Sequence, residues 1–172
     1  MAIATEFNGF SGSLNPKEPV GAEAEKFFYH GIFALICNRP AEAFEFFSPL
    51  AKHNAAAAFN CALCFLMAKD YEHSLKSLQE AEMLLHTFEN TKPKHPLPSA
   101  LLQYEKENNG YRNPMLPDIP KRSPGQALKQ TLRVKADVLY ALDQQEELKK
   151  LILLLSPEGY ENIEKMKKEM RY

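Results

Sequence analysis

Between Glu23 and His86 the chain twice carries the same arrangement of small and large residues. Gly31 is followed twelve positions on by Ala43 and four further on by Phe47, and Ala62 stands to Ser74 and Leu78 at the same offsets. Small residues at fixed spacing mark where two helices cross closely, and an internal repeat outranks any single residue as a statement about fold. The pattern predicts two consecutive helix-turn-helix units.

The apolar residues around these markers recur every three or four positions, predicting helices over 20–37, 40–53, 54–68 and 71–88. Asn38 and Arg39 break the first helix. Pro40 suits the opening turn of the second, where its missing N–H is no loss, and Pro49 is expected to kink or shorten the end of that helix. Asp70 is a good cap for the fourth helix. Helices of this length joined by two- or three-residue turns are antiparallel neighbours.

The pattern stops at residue 89. Residues 89–124 hold seven of the twelve prolines, with room for one short helix over 99–108. The run from Tyr111 to Pro117 is expected to be irregular. So long a connection is uncommon and tends to be functional or disordered. Because it carries Tyr111, Arg112, Met115, Leu116 and Ile119, the expectation is a loop packed on the body. Helix returns at Ser123-Pro124-Gly125-Gln126, with Ser123 read as the cap and Gln126 reaching back to it. A third unit then follows, in which Ala136, Leu148 and Ile152 keep the offsets of twelve and four. Ser156-Pro157 is read as the start of a last helix, apolar on one face only, as a closing helix is. Residues 1–19, rich in Gly, Ser and Pro, read as an arm in which Phe7, Phe10 and Leu14 can pack on the body.

Composition removes several classes of function. The chain has 172 residues, 45% of them hydrophobic and 25% charged, with a net charge of −1. That suits one domain with a real core and gives no overall field for nucleic acid or an anionic membrane. The basic residues near the C-terminus alternate with acids, which marks a solvated face. The cluster Lys92, Lys94, Lys121, Arg122, Lys129, Arg133 and Lys135 lacks interleaved aromatics, so no nucleic-acid partner is expected. No run of about 18 apolar residues and no secretory leader is visible. With an odd number of cysteines, three, the expected location is the cytoplasm.

The ordering of small and large residues resembles the tetratricopeptide repeat family. The matches are Phe27, Gly31, Ala43 and Phe47 in the first unit, Ala62, Asp70-Tyr71 and Ala81 in the second, and Leu132 and Ala136 in the third. The usual terminal proline is missing from the first two units, and Ser74 and Leu148 stand where alanine is usual. The resemblance implies an all-α solenoid of about three antiparallel helix pairs, residues 20–172, with the 89–124 insertion before the third pair and a closing helix. It also implies a concave groove lined by the first helix of each pair, which binds a protein or peptide. Carried over here, that face holds Phe28, Ile32, Leu35 and Ile36, then Phe59, Asn60, Leu63, Leu66 and Met67, then Arg133, Asp137 and Tyr140. Of the polar groups with which some members hold a chaperone's C-terminal carboxylate, only Asn60 matches.

So apolar a groove leaves two readings open. Either it takes an apolar segment of a partner, or the insertion or the N-terminal arm fills it and the functional surface moves elsewhere. Cys61 and Cys64 have the spacing of a redox pair or half a zinc site, but both fall on one helix with no second pair, and small buried cysteines are commoner. No phosphate loop, nucleophile elbow or metal-ligand pattern is present. The sequence therefore predicts a non-enzymatic protein–protein interaction module with no cofactor or metal. Its alternative is a structural homodimer or fixed complex subunit with a self-filled groove.

Overall fold

The structure, a computed structural model, describes residues 21–88 and 98–170. The N-terminal arm, residues 89–97 of the insertion and the last two residues lie outside it. The described residues form helices and irregular segments, with no strand among them.

The first four helices are α1 (Ala22–Ile36), α2 (Pro40–Ala51), α3 (Ala55–Met67) and α4 (Tyr71–Leu85). Each packs on the next. Then come α5 (Ser99–Glu107), a single 3-10 turn (Asn109–Arg112) and the short α6 (Ile119–Arg122). The chain ends in α7 (Pro124–Ala141), α8 (Gln145–Leu155) and α9 (Glu161–Glu169). Across the insertion, α4 packs directly on α7, so the stack continues as though the insertion were absent. The fold is all-helical, each helix lying against its neighbours.

The repeated offsets mark real crossings. A Cβ built on Gly31 would come within 2.7 Å of the Phe47 ring, so only glycine lets α1 and α2 approach this closely. Phe28 meets the same ring edge-on, 5.2 Å between centroids. In the next pair Ser74 is fully buried, and its hydroxyl donates to the Ala62 carbonyl at 2.9 Å. The serine is thus a small residue whose polar atom is satisfied by its own crossing partner.

The turns repeat as well, which the sequence reading did not anticipate. Asn38, Lys69 and Asp143 adopt φ of 58°, 60° and 55°, each seven positions after Gly31, Ala62 and Ala136. At each turn two backbone bonds recur: Asn38 to Leu35 and Arg39 to Ala34, Lys69 to Leu66 and Asp70 to Phe65, Asp143 to Tyr140 and Gln144 to Leu139, all of 2.9–3.2 Å. This is the Schellman closure, built here three times without glycine. A left-handed residue other than glycine costs roughly 1–2 kcal/mol, and the short amides and carboxylates at 38 and 143 reduce that cost.

Some local expectations fail. Asp70 does cap α4, accepting from the His73 N–H at 3.2 Å. Ser123, however, makes no cap to α7, and Gln126 donates instead to Glu105. Part of the segment expected to be irregular is the 3-10 turn that holds Tyr111 and Arg112, and α6 was not foreseen. Ser156-Pro157 opens a 3-10 turn that Gly159 ends at φ 71°, so the closing helix starts only at Glu161.

Replacing Gly31 by alanine drives a methyl group into the Phe47 ring. The overpacking, about 1–3 kcal/mol, exceeds the roughly 1 kcal/mol of helix propensity that alanine returns. Gly31→Ala is therefore expected to lower the urea midpoint with an unchanged slope.

Candidate functional site

After α5 the insertion crosses α3 and α7: the 3-10 turn packs on α7, and α6 packs on both. Asn60, fully buried in the middle of α3, holds that crossing. Its amide nitrogen donates to the Met115 carbonyl at 2.9 Å, and the Met115 N–H donates to the Asn60 carbonyl oxygen at 2.8 Å. One side chain thereby satisfies both main-chain groups of a buried irregular residue. The Met115 side chain is buried with them, 1% exposed.

Two charged residues of α7, one turn apart, hold the rest of the segment. Oδ2 of Asp137 accepts from the Tyr111 hydroxyl at 2.7 Å and from Nε and Nη2 of Arg112 at 2.8 and 2.6 Å, while Oδ1 accepts from Asn162 of α9 at 3.1 Å. Arg133 lies between two aromatic rings, 3.9 Å from the Tyr111 centroid and 4.3 Å from that of Tyr160. Its guanidinium also donates to the Glu105 carbonyl at 2.9 Å and to the Asn162 side chain at 3.1 Å. Burial and the neighbouring Asp137 charge push the Tyr111 hydroxyl well above its ordinary range, so it remains a donor.

The expected groove residues do not form one surface, and Leu66 is half-buried. Phe28 and Phe59 are core, 1% and 0% exposed, and do not present rings to the groove's solvent. Ile32, Leu35 and Leu63 are buried at its edge. Asn60 and Arg133 sit in the groove but bond to the chain's own insertion and α9. Tyr140 is partly exposed, its hydroxyl on Glu169 at 2.7 Å. In the insertion Tyr111 and Met115 are buried, whereas Arg112 and Leu116 are exposed. Sequence reasoning missed the role of Asp137, Tyr160 and Asn162. The signal was there: Arg133 and Asp137 interrupt the apolar stripe of α7, and buried charges need partners.

Beside the insertion part of the groove stays open. A cleft of ≈ 700 Å³ is lined on its apolar side by Leu35, Ile36, Leu63, Leu66 and Met67 and on its polar side by Lys69, Arg112, Asn113 and Asp137. Ile36 and Met67 at its mouth are 70% and 41% exposed.

Among the described residues no three His, Cys, Asp or Glu side chains are grouped to hold a metal. Cys61 and Cys64 are buried thiols, and burial pushes Cys64 up to about 12 and Cys61 higher. No described helix is long and apolar enough to cross a membrane.

Asn60→Ala leaves the N–H and carbonyl of Met115 buried without partners, at about 1–3 kcal/mol each. Urea unfolding should register that loss, and limited proteolysis should begin within 109–118. Tyr111→Phe removes a single hydrogen bond to a carboxylate, about 1.5–3 kcal/mol at neutral pH. Because the native Tyr111 value is raised, its contribution is whole below about pH 10 and fades as pH climbs toward the native value. The gap between wild type and Tyr111→Phe is thus expected to narrow from pH 7 to about pH 11.

No family model, curated protein or solved structure matches this chain, so the case for its function rests on the geometry of the groove.

Proposed function

We propose that the chain is a non-enzymatic protein–protein interaction module, a solenoid of three helix pairs of the tetratricopeptide-repeat kind, which binds an apolar segment of a partner protein. Support for the pairing comes from the two crossings at Gly31 and Ser74, from the packing of α8 on α7, where the offsets of twelve and four recur in sequence, and from the three identical turns. The insertion acts as a fixed wall. It fills the middle of the concave groove through Met115 and Tyr111 and leaves the cleft beside it as the binding surface.

The observation that carries this reading is the cleft, apolar below and polar at the rim, which is how sites for small recognition segments are built. Exposed side chains such as Ile36 and Met67, adjoining a buried apolar floor, are typical of a docking patch. Arg112, whose Nε and Nη2 are held by Asp137, fixes the polar side of the opening, and Lys69, exposed at the rim and in no ion pair among the described residues, favours a partner with an acidic group next to its apolar anchor.

Selection of a random peptide library on the immobilised full chain tests this. The expected consensus is a large apolar residue flanked by Asp or Glu. Leu66→Glu with Met67→Glu should weaken the selected peptides by about 2 kcal/mol, roughly 30-fold, with helical content unchanged. Peptides indifferent to that pair of substitutions would exclude the cleft.

A further inference from the structure

Arg133 is held by the fold without being paired by it. The residue is 3% exposed, yet the one acid of its helix, Asp137, is paired with Arg112. A guanidinium carries five N–H groups. Here three of them donate, to the Asn162 side chain and to the Glu105 and Asn108 carbonyls, which leaves two. A buried cation in no ion pair among the described residues is uncommon. Tyr160 repeats the pattern. Gly159, at φ 71°, ends the 3-10 turn and sets Tyr160 just before α9, where its ring lies on the Arg133 guanidinium. Of the two rings around Arg133, Tyr111 donates its hydroxyl to Asp137. The Tyr160 hydroxyl makes no hydrogen bond to a described residue, although Tyr160 is only 7% exposed. Burial, and then the nearby Glu158, push that hydroxyl up to about 12, so it is a donor at neutral pH.

Both residues line a second cavity, of ≈ 620 Å³, between the insertion and α7. Leu116 and Ile119 give it an apolar side. We infer that this cavity binds a small organic carboxylate, which accepts from Arg133 and the Tyr160 hydroxyl and lays its apolar body against Leu116 and Ile119. The volume is that of an ordinary ligand pocket, and the few polar groups converge on one end of it. A planar carboxylate suits a guanidinium, and such charge-assisted bonds are the strong ones. The other cation on the lining, Lys129, is already paired with Glu158, so a single negative charge matches what Arg133 leaves unpaired. Phosphate fits less well, because its second charge would meet Glu105, the one acid on the lining, which is exposed and held by Gln126. The inference does not rest on the cleft proposed above, with which this cavity shares only Asn113 and Pro114.

Titration of the isotope-labelled full chain with a series of monocarboxylates, from butanoate to 3-phenylpropanoate, tests the inference through amide chemical shifts. The expected result is saturable shifts centred on residues 109–119 and 160–163. The matching neutral amides should bind roughly tenfold more weakly. Tyr160→Phe should also weaken the carboxylates roughly tenfold. Its urea midpoint should stay unchanged, because the hydroxyl that it removes bonds to nothing in the described chain. Acid and amide binding alike, inorganic phosphate binding as well as the carboxylates, binding indifferent to Tyr160→Phe, or no saturable shift up to about 10 mM overturns the inference.

Discussion

Asp137 is a carboxylate held almost entirely out of water on a helix that is otherwise part of the core, 8% exposed. An isolated charge there would be costly enough to disrupt the helix stack. The fold answers it with four hydrogen bonds from Tyr111, Arg112 and Asn162. Because those partners come from the insertion on one side and from α9 on the other, satisfying one charge decides where two distant segments of chain must lie. Arg133, one turn away and between two rings, completes the arrangement from the opposite sign. Buried ion networks of this kind add modestly to net stability, since desolvation offsets most of the attraction. What they add here is location: they fix the insertion and α9 against α7.

That division of labour explains the two halves of the groove. Where Asn60 and Met115 face each other, main-chain groups are matched and the floor is closed by the chain itself. Where Leu63, Leu66 and Met67 continue the floor beyond the insertion, nothing among the described residues matches them. A groove fully lined by its own loop would leave no site, and a groove with no loop would expose a long apolar trough with little selectivity. The intermediate arrangement leaves a short opening with one polar wall, and in the binding role we propose, selectivity would come from the shape of that wall.

Much of the stack was legible because the repeat is written in side-chain volume. Gly31 against Phe47 and Ser74 against Ala62 are steric statements, and steric constraints survive the loss of context. The turns were harder to see. Asn38 and Arg39 were readable as a break, but Lys69 carries no hint of a left-handed conformation, which only the two recurring backbone bonds impose. The path of the insertion was hardest. Its apolar residues announced that it packs, yet its seat depends on Asn60 and Asp137, far away in sequence. Phe28 and Phe59 misled in the opposite direction: a helix buried on more than one side offers no periodicity that separates its core face from its groove face. The capping motif at Ser123 failed because Gln126 finds a partner in α5 that local sequence does not contain.

The anchor at Met115 has a consequence for how such a chain can drift. Asn60 recognises main-chain atoms, which every residue but proline provides, so residue 115 is free to change to any apolar side chain of similar reach. Position 60 has no such freedom, because only an amide both donates and accepts at that geometry. The insertion can therefore diversify its exposed residues, Arg112 and Leu116 among them, while its seat is conserved by one residue on a different helix. In the binding role we propose, variation in specificity and constancy of fold would fall to separate parts of the sequence.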